Sequence, residues 1–336
     1  MRLKQNVSLL SYNTFGIDVK ADYFIEYDSV DDLHSVLQSE IVKSNKILQI
    51  GGGSNLLFLN DFTGVILHSR IQSIENVGED DEHVYLEVGS GVIWDDLVAY
   101  AVENGWGGVE NLSLIPGEAG ASAVQNIGAY GVEVQEVIME VNTVDAETAG
   151  IRTFSNDECL YGYRDSVFKN ELKGKYFITS IVFRLEKKPV FRLHYQHLEE
   201  EVLKTGVINL QNIRKTIIQI RESKLPDPGV TGNAGSFFMN PIISKDHFHS
   251  LQNLYPQMPH YFDSEQNEKI PAAWLIDQCG WKGKHIGNAG VHDKQALVLV
   301  NLGGATGVEI VFLANQIQLS VKEKFGITLK PEVNFI

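Results

Sequence analysis

Apolar and polar positions along the chain follow two rhythms, and glycine and proline mark where one gives way to the other. "ADYFIEY", 21–27, reads as a strand and "KILQI", 46–50, as a short buried one. Between them, in "SVDDLHSVLQSE", Leu33, Val36 and Leu37 share a helical face and Ser29 with Asp32 reads as a capping box, which makes a strand, helix, strand unit. "HVYLEVGSG" gives a further strand. "VIWDDLVAYAVENG" gives a helix with Trp94, Leu97, Val98 and Ala101 on one face and Gly105 as a left-handed cap. "VNTV", "IRTF" and "YFITSIVFRLEKK" predict an antiparallel sheet. The helix through Leu210, Ile213, Ile217 and Ile220 stops at Pro226, where a domain boundary is expected. A last helix, with Thr306 and Glu309 as a capping box and Gly326 as its cap, precedes "ITLKPEVNFI", which reads as a strand.

Two segments stand out as poor in side chains. "GGGSNLL", 51–57, follows a strand but lacks G-x-G-x-x-G spacing, and "LLFLNDFTGVILHS" after it reads as extended, so the fingerprint that sets a dinucleotide on a helix N-terminus is not met. Successive backbone N–H groups can still cradle a pyrophosphate without a helix, and a plain tight turn is the competing reading. "SLIPGEAGASAVQNIGAYG", 113–131, reads as a second glycine-rich loop, and the pair could clasp one long ligand.

With 336 residues the chain exceeds what one core usually serves, and two or three domains are expected. The net charge of -15, from 28 basic and 43 acidic residues, disfavours nucleic acid and anionic membranes, since no Lys/Arg run opposes it. Cys159 and Cys279 lie far apart and read as reduced, partly buried thiols. The apolar stretch after Arg2 and Lys4 is too short for a signal sequence and no run is of membrane length, so a cytoplasmic protein is expected. His194 and His197 have no third ligand at metal spacing, and no metal is expected.

Several polar residues have a bland reading and a chemical one. Arg164 in "CLYGYRDSVFK" suits a carboxylate, or simply pairs with Asp165. Lys224 suits a helix C-terminus, Glu332 a frayed tail, and Tyr195 an exposed loop. Ser236 is the single hydroxyl of "GNAGSFFMNP", among small residues that admit close approach.

The chain resembles the UDP-N-acetylenolpyruvoylglucosamine reductase family, flavoenzymes of bacterial cell-wall precursor synthesis. The resemblance runs from "YNTFGI" through "GGGSNLLF", "IPGEAGASAVQNIGAYG", "YGYRDSVFK", "KLPDP", "GNAGSFFMNP", "WLIDQCGWKG" and "QALVLV" to "PEVNFI". "YGYRDS" and Tyr195 resemble the subclass that folds a tyrosine-bearing loop over its substrate. It implies an α+β, vanillyl-alcohol oxidase-type FAD-binding fold: one FAD subdomain at 1–70 with 326–336, a second at 71–225, and a substrate-binding domain at 226–325. It assigns FAD to Gly51, Gly52, Gly53, Ser54 and Asn55, and to Pro116, Gly117, Ser122, Gln125, Asn126 and Gly128. It assigns the UDP-sugar to Tyr163, Tyr195, Lys224, Asn240 and Gln295.

The implied reaction is NADPH reduction of FAD, then hydride transfer to the vinyl CH2 of the enolpyruvyl ether. Ser236 would be the proton donor, and Arg164 and Glu332 the stabilisers of the enolate. Glu332 would need a raised pKa, from burial and like charge, to serve there. Met239 departs from the family pattern, which has lysine there. A monomer is expected. An oxidase of the vanillyl-alcohol type or an FAD-carrying electron-transfer subunit would share the two glycine segments, but neither accounts for Lys224, Ser236 and Glu332.

Overall fold

The computed structural model describes residues 1–195 and 197–336, arranged as two compact units. The first comprises Met1–Val7, Lys20–Gly53 and Phe62–Ser223. The second comprises Ser8–Val19, Ser54–Asp61 and Lys224–Ile336.

The first unit holds two sheets. Strands β1 (Arg2–Ser8), β2 (Lys20–Tyr27), β3 (Ile47–Ile50) and β4 (Phe62–Ser69) lie in the order β1-β2-β4-β3, with β2 and β3 both parallel to β4. Helix α1 (Val30–Leu37) connects β2 to β3 and buries Leu33, Val36 and Leu37 against Ile25, Tyr27, Val65 and Leu67, as the 3.6-residue spacing predicts. The expected capping box is only half made. Ser29 Oγ accepts from Asp32 N–H, but the Asp32 carboxylate accepts from Asp28 N–H and the terminal ammonium.

The second sheet is antiparallel, with β5 (Ile74–Glu79), β6 (His83–Gly89), β7 (Ile138–Asp145), β8 (Ile151–Ser155) and β9 (Tyr176–Glu186) in the order β8-β7-β9-β6-β5. Helix α2 (Trp94–Glu103) packs Trp94, Leu97, Val98 and Ala101 into its core, and Gly105 takes φ +78 just past the helix end. The 113–131 segment is not loop throughout. Its alanines support a short helix, α3 (Ala119–Gln125), stopped where Asn126 turns left-handed at φ +44. Helix α4 (Leu210–Lys224) closes the unit, with Leu210, Ile213 and Ile217 buried.

Glu110 is 4% exposed, and its carboxylate accepts from Gly108 N–H at 2.7 Å. Burial, with Glu186 adding, raises its pKa above the ordinary carboxylate value. A carboxyl that holds its proton more tightly when folded contributes stability below its unfolded pKa, and that contribution is lost as pH rises through the folded value. Glu110→Gln is therefore expected to raise the melting temperature at pH 7, with the gain shrinking to nothing by about pH 4. Thermal unfolding of both proteins at the two pH values checks this.

In the second unit β10 (Gly232–Ser236), β11 (His285–Ile286), β12 (Ala289–Val291) and β13 (Val298–Asn301) form a sheet in the order β10-β13-β12-β11. Helix α5 (Gly307–Phe325) has the full Thr306/Glu309 capping box and a left-handed Gly326. The three stretches of this unit interlock. Asn301 Nδ2 donates to Phe15 O at 2.9 Å, and a Cβ at Gly232 would stand 2.2 Å from that oxygen. Gly307 lies equally close to Phe58 O. Of the expected terminal strand only Asn334–Phe335 forms, parallel to Leu56–Leu57.

Among the described residues no helix is long and apolar enough to cross a membrane. Both cysteines are free, Cys159 buried and Cys279 half-buried.

Candidate active site

The two side-chain-poor segments meet in the first unit. A Cβ on Gly52 would stand 3.4 Å from Gly117 Cα, so the backbones touch where neither residue carries a side chain. Gly53 and Gly117 take φ +63 and +120, which only glycine adopts without strain. Pro116 precedes this contact. α3 is seated tightly behind it: Gly120 N–H donates to Ser90 O at 3.0 Å, and a Cβ at Gly120 would lie 2.8 Å from Ser90 Cβ. The result is a cradle of closely packed backbone that added side chains would force apart.

Within the cradle the predicted residues differ in availability. Among the described residues Gln125 Oε1 is buried with no hydrogen-bond partner, so it can accept from a ligand donor. Ser122 is buried and its hydroxyl donates to Ala119 O at 2.7 Å. Asn126 is committed within the protein. Its amide donates to Glu133 Oε2 at 2.9 Å and Gly162 O at 2.7 Å, and its oxygen accepts from Gln135 N–H at 3.2 Å.

The Asp165 carboxylate accepts from Ser166 N–H and Asn170 Nδ2, while Arg164 reaches the second glycine segment. It sits at φ +57, donates to Asn126 O at 3.3 Å and to Gly128 O, and lies 3.8 Å from Glu133 Oε1, with Tyr163 beneath the guanidinium at 5.2 Å. Arg164 is thereby tied to the second segment. Tyr195 is 37% exposed in its loop and packs edge-on against Tyr130 at 5.9 Å.

A second constellation forms in the second unit. Ser236 ends β10 opposite Val298 and is exposed. The chain after it runs antiparallel to the tail: Glu332 N–H donates to Phe237 O at 2.8 Å, and Met239 N–H to Lys330 O at 2.9 Å. Asn55 Nδ2 donates to Glu332 O at 3.3 Å, and Asn55 O accepts from Asn334 N–H at 3.0 Å. Glu332 is therefore half-buried and anchored rather than frayed. Asn240 Oδ1 accepts from Ala272 N–H at 2.9 Å, and Gln295 Oε1 from Leu297 N–H at 3.4 Å. Lys224 is exposed at the end of α4.

A model of the UDP-N-acetylenolpyruvoylglucosamine reductase C-terminal domain matches residues 227–336, and an FAD-binding domain model matches 21–153. A UDP-N-acetylenolpyruvoylglucosamine reductase of Bacteroides fragilis is 54% identical over 99% of this chain and 100% of its own length. The chain belongs to the UDP-N-acetylenolpyruvoylglucosamine reductase family. A Porphyromonas gingivalis reductase of this family is 48% identical over the whole of both chains. The crystal structure of the Thermus caldophilus reductase superposes with a TM-score of 0.70 at 22% identity, covering 100% of this chain and 99% of that one. The α+β, vanillyl-alcohol oxidase-type architecture expected for the family is the one observed.

The cradle fits the family's FAD. Backbone without side chains at Gly51, Gly52, Gly53 and Gly117 suits a pyrophosphate, and the buried Gln125 Oε1 suits a ring N–H. The sequence reading missed Glu118, His68 and Glu133, which brace the glycine segments and Arg164. The signal for His68 was a polar residue ending the buried run "GVIL".

Proposed function

We propose that this chain reduces the enolpyruvyl ether of UDP-N-acetyl-3-O-(1-carboxyvinyl)-glucosamine to the lactyl ether of UDP-N-acetylmuramate, in peptidoglycan precursor synthesis. FAD held by the two glycine segments would, once reduced by NADPH, supply the hydride. What supports the reading most directly is the pairing of Glu332 with the strand that presents Ser236, in a chain matching the family end to end.

Hydride delivered to the vinyl CH2 leaves negative charge on the ether-bearing carbon and its carboxylate. Ser236 Oγ–H gives its proton to that carbon. A serine hydroxyl is a weak acid, but the centre it protonates is a far stronger base than water. Arg164 supplies fixed positive charge to the developing enolate, and its backbone anchors hold the guanidinium ready before substrate arrives. Glu332 shares the enolate charge through a hydrogen bond that it donates in its protonated form.

Gly51 to Asn55, with Pro116, Gly117, Ser122, Gln125 and Gly128, hold the cofactor, while Asn126 fixes the backbone of its segment. Tyr163, Tyr195, Lys224, Asn240 and Gln295 hold the UDP-sugar. In this reading 1–70 with 326–336 and 71–225 form two FAD-binding subdomains and 226–325 the substrate-binding domain, although Ser8–Val19, Ser54–Asp61 and 326–336 pack within the second compact unit. The enzyme works as a cytoplasmic monomer without nucleic-acid or membrane partners.

The decisive test is NADPH consumption by the yellow purified protein. Oxidation should accelerate strongly when the enolpyruvyl nucleotide is added. Rapid oxidation indifferent to that nucleotide would favour an oxidase or electron carrier. Lys224→Ala is expected to raise the substrate dissociation constant about tenfold, from loss of a cation facing a diphosphate, with FAD reduction unchanged. Equilibrium titration with the nucleotide measures it, and an unaltered constant removes Lys224 from the site.

A further inference from the structure

A buried polar chain in the first unit leads to the glycine cradle and takes no part in the chemistry assigned above. It begins near the surface at Lys4, whose ammonium donates to Glu26 Oε2 at 3.1 Å. Glu26 and His68 are register partners on β2 and β4, each 6% exposed, with Glu26 Oε1 3.8 Å from His68 Nδ1. His68 Nε2 donates to Glu118 Oε1 at 2.9 Å. The other Glu118 oxygen reaches the first glycine segment: a Cβ at Gly51 would stand 3.0 Å from Oε2.

Stability alone gives little reason for this arrangement. Buried ionic groups can often be replaced by apolar ones without loss of stability, whereas removing one member strands the other. The run Val65–Leu67 before His68 is apolar and buried in β4, between β2 and β3, and an aliphatic residue would suit position 68 as a packing element. What the polar chain does provide is a fixed link between β4 and the residue following Gly117, at the point where Gly52 and Gly117 touch.

Charge gives a second reason. Glu118 is an anion beside a backbone nest suited to an anion. The Nε2–H donor engages one of its oxygens while the other lies beside Gly51, and without that donor the undiminished charge would repel a diphosphate there. Burial raises the pKa of Glu26, but Lys4, His68 and Arg70 outweigh it and hold the carboxyl below its ordinary value, so the chain behind His68 keeps its charges.

We propose that His68 is a positioning residue for the cofactor. By donating to Glu118 Oε1 it fixes the second glycine segment against the first and offsets part of the charge that the carboxylate presents to Gly51. The inference rests on the assignment of FAD to these two segments, and one set of titrations separates the two claims. Apoprotein is titrated with FAD, binding is followed by flavin fluorescence, and the melting temperature of each apoprotein is measured alongside.

His68→Leu is expected to weaken FAD binding about tenfold, because Glu118 loses its buried donor. His68→Gln, whose amide can donate to the same oxygen, is expected to stay within about threefold of wild type. In a Glu118→Ala background His68→Leu should cost nothing further, since the pair acts as one unit. Undiminished affinity in His68→Leu, equal loss in the Gln and Leu variants, or full additivity with Glu118→Ala would each overturn the proposal. Should His68→Leu fold poorly, His68→Asn, polar but too short to reach Glu118, takes its place and should lose affinity as Leu does.

Gly52→Val is the control for the cradle itself. If it binds FAD like wild type, the FAD assignment fails and the proposal with it. If it weakens FAD while His68→Leu does not, only the role of His68 falls.

Discussion

Ser236→Ala is expected to leave FAD reduction by NADPH nearly intact while slowing flavin reoxidation by the enolpyruvyl nucleotide about 10²–10⁴-fold, the usual contribution of a positioned acid. The split follows from where the proton is needed. The first half-reaction brings no electron-rich carbon to Ser236, whereas the second ends only when that carbon is protonated. Ser236 is exposed at a strand end, so the substitution leaves no cavity, and a general loss of stability cannot mimic the result. Stopped-flow comparison of the two half-reactions decides it. Equal losses in both would remove Ser236 from the acid role.

Arg164→Met is expected to slow the second half-reaction about a hundred- to thousandfold, as removal of a preorganised charge stabiliser commonly does. Arg164→Lys should recover little of it. The guanidinium spans Asn126 O, Gly128 O and Glu133 at once, and a single ammonium cannot reproduce that planar fork. Because these anchors belong to the segment assigned to FAD, cofactor affinity must be measured on the same preparations. Lysine restoring most of the rate would mean that charge alone suffices and that the observed fork has no bearing on catalysis.

Most of the secondary structure was legible because apolar spacing and local stop signals agree in this chain. Leu33, Val36 and Leu37 are buried as their spacing requires, and Thr306, Glu309 and Gly326 bound their helix as written. Where local signals were mixed, the reading failed. The glycines of "GEAGASAVQ" outweighed its alanines on inspection, yet packing of Gly120 against Ser90 makes the segment helical. The Asp32 carboxylate found the terminal ammonium, a partner far along the chain that a local motif cannot anticipate.

The site was legible only in part for the same reason. Motifs named Arg164, but they do not foretell its bonds to carbonyls 36 and 38 residues away in sequence. The contact of Gly52 with Gly117 and the His68–Glu118 bond are products of tertiary folding, and no spacing rule encodes them.

The threading of the second unit bears on how such proteins can be cut and recombined. The segment 227–336 that matches the family's C-terminal domain is contiguous in sequence but is not a self-sufficient module: its sheet leans on Phe15, its long helix on Phe58, and its last strand on Leu56–Leu57. Excised at Lys224, it would expose those seams to water and leave their donors and acceptors without mates. A transplant that keeps this half of the enzyme folded must therefore carry Ser8–Val19 and Ser54–Asp61 as well, so gene fusion at a single junction cannot move it intact.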